Sequence, residues 1–367
     1  MSETAERSGR RVVFHAPGQP LELRDVVVPA PEPGGVLVRM LFAGVCGSDA
    51  HRINGDMPAP PVPLAFGHEG IGRIEALGAG VTTDHAGSRV AVGDLIYFSP
   101  ASEATVPASG RIVPGAYDAP WPVPADRPSV ATYQDWAWIA QTGVFYRIPE
   151  DTSPEAVIAF GCAMPTAIGG MARLGGIKPG QTVVVQGCGP VGLASTVLAS
   201  LEGAGQIIVI GEPEERLRAA ERFGATTVLP LGSTTPKERK AAILDLTNGQ
   251  MGDVVIEAAG QLAAFHEGLD LLAFEGRYLI LGLYSGPGQA DVDIVGLNNR
   301  SQAIIGSLGP TRLDDLKTTI EIAREHGERL GFAELITHRF PLAQTADAIE
   351  AVGAGVAIKA VVLPEQG

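Results

Sequence analysis

Two groups of residues in this chain could do chemistry, and each asks for its own scaffold. The first follows the apolar run QTVVVQ: Gly187-Cys188-Gly189-Pro190-Val191-Gly192, then the helix-compatible LASTVLASLEGAG. A strand, this glycine spacing and a helix together suit a dinucleotide. The first glycine permits a tight turn, the second lets backbone approach a pyrophosphate, the third lets helix and strand pack closely, and the helix N-terminus offers free N–H groups. Alone, the pattern is a glycine-rich turn without a ligand; strand and helix around it argue for a cofactor. An acidic residue about 20 positions on selects NAD by accepting hydrogen bonds from the ribose hydroxyls. Here the next strand-like run, QIIVI, ends in Gly211-Glu212-Pro213. Glu212 repels a 2′-phosphate and favours NAD, although a solvated turn residue is the bland alternative. Gly211 leaves room for that phosphate and Arg216 is near enough in sequence to meet it, so NADP stays open.

The second group begins at Gly44-Val45-Cys46-Gly47-Ser48-Asp49-Ala50-His51 and continues, after a proline-rich loop, at Gly67-His68-Glu69. Thiolate, imidazole and carboxylate donors suit zinc, and three protein donors with one position open make a catalytic arrangement. His68 lies 22 residues beyond Cys46, and Cys162 another 94 beyond His68. No compact zinc finger has that spacing, and it fits buried cysteines and a hydrogen-bonded histidine equally well.

The elements around the two groups differ in texture. The first 150 residues show short β-like runs (RRVVFHA, GGVLVRMLFAGV, GIGRIEALG, GDLIYFS) cut by Gly and Pro turns, which predicts an irregular β-rich domain. From Gln181 on, TVVVQG, QIIVIG, TVLPL, DVVIEAAG and RYLILGL are apolar runs, the first four followed by helix-compatible segments. That alternation predicts βαβ units around a doubly wound parallel sheet, and so an α/β fold class. A helical pattern (TRLDDLKTTIEIAREHG) and a last strand, IKAVVLP, follow residue 305, and pattern alone does not say which half they join. Residues 100 to 128 hold seven of the 28 prolines, and residues 97 to 146 nine of the 20 aromatics, including Trp121, Trp136 and Trp138. This predicts an ordered lobe that covers a site or packs on a subunit.

Composition narrows the function classes. A length of 367 residues suits about two domains. A net charge of −14 and a pI near 5.0 argue against nucleic-acid or anionic-membrane partners, which need Lys and Arg clusters. The N-terminal MSETAERSGRRVVF has no apolar core of a leader, and no apolar run is long enough for a membrane helix, so a cytoplasmic protein is expected. Three cysteines cannot build a disulfide scaffold, which leaves metal binding, nucleophilic chemistry or core packing as their uses. His85 and His266 fall in polar segments and are expected at the surface.

Taken in order, GVCGSDAHRINGD, AFGHEGIGRIEALGAGV, GDLI, AFGCAMPTAIGG, KPGQTVVVQGCGPVGL, ERLRAAERFGA, DVVIEAAG and AIKAVVLP resemble the zinc-dependent alcohol dehydrogenases of the medium-chain dehydrogenase/reductase superfamily over nearly the whole chain. The resemblance implies a GroES-like β-rich catalytic domain at 1–163 with its lobe at about 100–133, a Rossmann cofactor domain at 164–305, and a return to the catalytic domain at 306–367. It implies one catalytic zinc per chain on Cys46, His68 and Cys162, with Glu69 as an alternating or outer ligand and Asp49 orienting His68. Ser48 and His51 match the family's proton relay, Thr166 a residue beside the nicotinamide, Lys359 a basic residue at the pyrophosphate, and Met57 a residue of the substrate pocket. Blander readings stand beside these: Ser48 and Asp49 as helix caps, His51 as a solvated residue, Lys359 as a strand-end lysine. Cys188, at a variable position of the fingerprint, reads as a small filler.

The chain departs from the family pattern twice. Many members carry four closely spaced cysteines for a structural zinc, and residues 100 to 133 have none; Gly47 stands where some members have a basic residue. The implied activity is the interconversion of an alcohol, apolar, medium-sized and secondary, with its ketone or aldehyde, using NAD in a homodimer or homotetramer. Reduction of imines or conjugated double bonds is the rival within the family, and a catalytically idle cofactor-binding protein the rival outside it. A zinc-free quinone or enoyl reductase would lack Cys46, His68 and Cys162.

Overall fold

A computed structural model describes residues 7–57, 63–102, 129–285, 288–309 and 312–364. The chain forms two compact units: one from the chain up to Cys162 together with the chain from Arg312 on, the other from the chain beginning at Ala163 in between. Most of the predicted proline-rich lobe, 103–128, lies outside the described residues.

The first unit opens with β1 (Arg7–Phe14), β2 (Glu22–Val28), β3 (Val36–Gly44), α1 (Gly47–Asn54), β4 (Leu64–Ala65), β5 (Glu69–Leu77), β6 (Leu95–Ser102), β7 (Trp136–Ile139), β8 (Gly143–Arg147) and α2 (Pro154–Ile158). β1 pairs antiparallel with β2 on one side and β4 on the other. β3 pairs antiparallel with β5 and β7, and β5 carries the sheet on through β6 to β8. Val36, Val38, Met40, Ile74, Ile96, Phe98 and Phe145 meet in one apolar core with Phe14 of β1 and Phe66, the residue after β4. Burying such side chains stabilises by roughly 1.5 to 3 kcal/mol each, so the sheet is a stiff platform for the loops at its ends.

The second unit is a repeating βαβ structure. After α3 (Ala163–Leu174) come β9 (Thr182–Gln186), α4 (Pro190–Leu201), β10 (Gln206–Gly211), α5 (Glu214–Arg222), β11 (Thr227–Pro230), α6 (Pro236–Leu246), β12 (Gly252–Glu257), α7 (Leu262–Asp270), β13 (Leu272–Ile280), α8 (Ile294–Asn299) and β14 (Ala303–Gly306). The six strands are parallel in the order β11-β10-β9-β12-β13-β14. That is the doubly wound Rossmann order, whose direction of winding reverses between β9 and β12, the position where such sheets take their ligands. Val183, Val184, Val185, Ile207, Ile208 and Val209 are all buried, as strands covered on both faces require. β14, too short to be read from the sequence, completes the sheet.

The chain then returns to the first unit with α9 (Asp314–Leu330), β15 (Ile336–Pro341), α10 (Thr345–Gly353) and β16 (Lys359–Leu363). β16 lies between β15 and β3, pairing Val361 with Gly44 and Val362 with Ala43. The closing strand is thus built into the sheet that ends in the Cys46 loop. His85 corrects an expectation: it is half-buried, with its ring edge-on to Tyr146 at 6.0 Å between centroids, whereas His266 is exposed.

Candidate metal centre and cofactor turn

β3 ends at Gly44, two residues before Cys46, and Cys46 begins α1. Its N–H donates to Asp49 Oδ2 at 3.0 Å, so the carboxylate closes the first turn of that helix. His68 stands at the mouth of β5, after Gly67, whose φ of +92° turns the chain and whose missing Cβ makes room for Tyr133. Cys162 follows α2, after Gly161 with φ of +50°.

These three loops converge. Cys46 Sγ and Cys162 Sγ are 3.4 Å apart, and donor atoms of Cys46, His68, Glu69 and Cys162 all lie within 4.8 Å of one another. It is the one such group among the described residues. Asp49 Oδ1 is 3.3 Å from His68 Nδ1, and Cys46 is a second hydrogen-bond partner of the ring. Asp49 Oδ2 also accepts from the buried Tyr133 hydroxyl at 2.7 Å. Tyr133 is therefore part of the site although nothing in the sequence singles it out beyond its place in an aromatic-rich stretch.

Glu69 sits behind the sulfurs. Its Oε1 accepts from the Cys162 N–H at 2.9 Å, and its Oε2 is paired with Lys359, whose ammonium also donates to the Val45 carbonyl at 3.1 Å. Side chains of both are almost fully buried. The carboxylate occupies a slot walled by two glycines: a Cβ added at Gly44 or at Gly161 would fall 1.9 Å from Glu69 Oε2. Two of the three Lys359 ammonium protons are thus committed to Glu69 and the Val45 carbonyl. Tyr97, donating to the Gly161 carbonyl at 2.9 Å, holds the slot's far wall.

The electrostatics follow from this packing. The hydrogen bond with Cys162, together with His68, holds the Cys46 thiol well below its ordinary value, while the same contact and burial push Cys162 up. A bound dication favours thiolate on both sulfurs. Burial works against a charge on His68, but Asp49 and Cys46 outweigh it and raise the imidazole. Two thiols and an imidazole within reach of one point, with an outer shell of carboxylates, match the borderline-soft donor set of zinc.

Ser48 is half-buried in the first turn of α1, and His51 one turn later is half-buried with Nδ1 3.1 Å from Asp56 Oδ2. Asp56 is a further partner that sequence reading passed over. Met57, half-buried, follows Asp56 beyond the Gly55 cap of α1.

In the second unit, Thr166 is buried in α3. The fingerprint glycines have distinct surroundings. Gly187 has φ of +99° and lies against the Ala258 backbone; a Cβ on Gly192 would strike the Gly187 carbonyl oxygen at 1.9 Å; a Cβ on Gly189 would meet nothing within 4 Å. Gly189 caps α4 and Pro190 starts it, so open space lies beside free N–H groups, a cradle that fits a pyrophosphate. Val191 is half-buried in the first turn. Cys188 is buried, its thiol donating to the Glu212 carbonyl at 3.3 Å, and a Cβ on Gly211 would fall 2.4 Å from that sulfur. Cysteine and glycine are thus fitted to each other. Glu212 is exposed and Arg216 half-buried.

Comparison with known proteins places the chain in a family. Residues 32–119 match the alcohol dehydrogenase GroES-like domain and residues 190–325 the zinc-binding dehydrogenase domain. The chain is 39% identical to 5-exo-hydroxycamphor dehydrogenase of Pseudomonas putida over 93% of this chain and 95% of that protein. It is 30% identical to the sorbitol dehydrogenase of Gallus gallus over 95% and 94%. Among solved structures, an alcohol dehydrogenase from Thermotoga maritima superimposes with a TM-score of 0.83 at 27% identity, covering 97% of this chain and 99% of that one. On this evidence the chain belongs to the zinc-dependent alcohol dehydrogenases of the medium-chain dehydrogenase/reductase superfamily, oxidoreductases that interconvert an alcohol and its carbonyl compound with a nicotinamide cofactor.

Proposed function

We propose that this enzyme oxidises an apolar, cyclic secondary alcohol of medium size to its ketone, with NAD preferred over NADP. The observation that carries the reading is the convergence of Cys46, His68 and Cys162 on one point within a chain 39% identical to a dehydrogenase named for a bicyclic secondary alcohol. We assign Cys46, His68 and Cys162 as the zinc ligands, and Gly187, Gly189, Pro190, Val191, Gly192 and Thr166 to the cofactor. When bound, zinc supplies the Lewis acidity that lowers the alcohol's pKa, and the nicotinamide supplies the hydride acceptor.

The chain's own residues handle the proton and the geometry. Ser48, in the same helical turn as the metal donor Cys46, takes the hydroxyl proton of the substrate, and His51 passes it to solvent. Asp56 on its Nδ1 orients that ring for the transfer. Asp49 likewise orients the His68 ring. Met57 lines the substrate pocket. Exposed Glu212 disfavours a 2′-phosphate, with Arg216 as the group that would admit one. The catalytic domain takes in 1–163 and 306–367 and the cofactor domain 164–305, in a cytoplasmic homodimer or homotetramer.

The test is nicotinamide reduction by purified protein against bicyclic and monocyclic secondary alcohols, linear alcohols and polyols, with NAD and NADP run separately and a chelator control. Turnover greatest on the cyclic alcohols with NAD, and abolished by the chelator, is expected. A preference for polyols would overturn the substrate class, and turnover indifferent to the chelator would overturn the metal assignment.

A further inference from the structure

Glu257 closes β12 in the middle of the parallel sheet and is fully buried. Burying a carboxyl is costly, and burial raises its pKa above the ordinary glutamate range. Among the described residues it has no cationic partner, so the ion pairing that explains Glu69 does not explain Glu257. Its contacts point elsewhere. Oε1 accepts from the N–H groups of Ala259 and Gly260, both at 2.7 Å, and bends the chain leaving β12 into a tight turn. Its backbone carbonyl accepts from Leu281 and Gly282 at 2.8 and 3.0 Å, which ties in the loop leaving β13.

The turn so formed reaches two neighbours. Ala258 N–H donates to the Gln186 carbonyl at 2.8 Å, and the Ala258 carbonyl carbon would be 3.0 Å from a Cβ on Gly187. Gly260, with φ of +67°, leaves no room for a Cβ, which would fall 2.5 Å from the Leu283 carbonyl oxygen; one on Gly282 would fall 2.4 Å from Glu257 Oε2. Three loops, after β9, β12 and β13, are therefore packed at backbone distance around one carboxyl. They lie at the carboxyl end of the sheet on the β12 side of the winding reversal, where a dinucleotide binds. Oε2 lies buried near the Tyr284 hydroxyl, and the Gln261 N–H joins those of Ala259 and Gly260 in favouring the ionised carboxyl.

We propose that Glu257 is a positioning residue for the nicotinamide cofactor: by drawing in the Ala259 and Gly260 N–H groups, it holds the loops after β12 and β13 against the Gly187 turn, so the rim is set before the cofactor arrives. It does not touch the cofactor. The proposal rests on the reading of Gly187 to Gly192 as the cofactor turn. Rims ordered in advance bind with less entropic loss, so removing the carboxyl weakens affinity for the cofactor rather than the chemical step.

The experiment compares Glu257→Ala and Glu257→Gln with wild type in the zinc-loaded enzyme. It measures the cofactor Kd by fluorescence titration with NAD and NADH, kcat and the cofactor KM, zinc content and thermal unfolding. Glu257→Ala is expected to raise Kd and KM for the cofactor about tenfold or more, with kcat and zinc content near wild type. Glu257→Gln, which keeps an oxygen for the two N–H groups, is expected to restore most of the affinity. An unchanged Kd in Glu257→Ala, or Glu257→Gln as weak as Glu257→Ala, overturns the proposal. Should Glu257→Ala not fold, Glu257→Asp, one methylene too short to reach both N–H groups, takes its place under the same criterion. Wild-type protein that binds neither NAD nor NADH sinks the cofactor reading itself, a result distinct from normal wild-type binding with unaltered variants.

Discussion

Cys46 Sγ lies 3.4 Å from Cys162 Sγ across 116 positions of chain. Two thiols at that distance need either a shared proton or a metal, and the choice is visible in stability. Zinc binds the folded donors and not the unfolded chain, so at free zinc 100 times its Kd it adds about 2.7 kcal/mol. Dialysis against a chelator is expected to abolish turnover and lower the unfolding temperature, and zinc to restore both. Cys46→Ser and Cys162→Ser are each expected to lose the zinc response. Calorimetry with and without added zinc reads this directly, and a serine variant that still responds rules out that residue as a ligand.

Lys359 offers a choice between two roles. If its work is the buried pair with Glu69, Lys359→Met strands a carboxylate and costs about 3 to 5 kcal/mol, seen as a lower urea midpoint together with weaker zinc retention. Pairing it with Glu69→Gln is expected to recover part of that loss, because the stranded charge is gone. A variant with normal stability and zinc but a raised cofactor Kd would instead give the lysine to the pyrophosphate.

The fingerprint glycines are expected to fail in opposite ways. Gly192→Ala pushes a methyl onto the Gly187 carbonyl and is expected to destabilise the second unit severely. Gly189→Ala meets nothing in the protein, so it should fold normally and yet bind the cofactor poorly, because the methyl stands where the pyrophosphate must approach. Thermal unfolding and fluorescence titration on the same two samples separate the effects.

On the first unit's surface, hydrogen bonds from Arg24 and His15 hold Glu22 down to about 2 from 4.5. A depressed carboxylate stabilises the fold above its unfolded pKa and loses that contribution as pH falls through the folded one. The unfolding-temperature advantage of wild type over Glu22→Gln should therefore be constant above about pH 4.5 and shrink between there and about pH 2. An advantage that grows on acidification would show that the cluster does not act through the charge of Glu22.

The sequence showed some of this and hid the rest for physical reasons. The turn from Gly187 to Gly192 is legible because its three glycines and flanking strand and helix are contiguous; the local spacing is the geometry. The metal donors are not, since Cys46, His68 and Cys162 meet only when β3, β5 and α2 are packed, and resemblance had to supply what spacing could not. Tyr133 on Asp49 and Lys359 on Glu69 are contacts across 84 and 290 positions, with no periodicity to announce them. β14 and β15 were missed for another reason: four and six residues in β14 and β15 carry too little pattern to stand apart from their loops.

The two glycines that wall Glu69 set a limit on how this scaffold can be altered. Neither Gly44 nor Gly161 would appear on a list of residues to vary around the metal, yet any side chain at either position evicts the carboxylate and leaves Lys359 buried without its counter-charge. A library built only from the visible donors would explore substrate preference with that foundation intact. One that strays a single residue to Gly161, or two to Gly44, would be sampling collapse of the floor instead, and its losses would be misread as losses of chemistry.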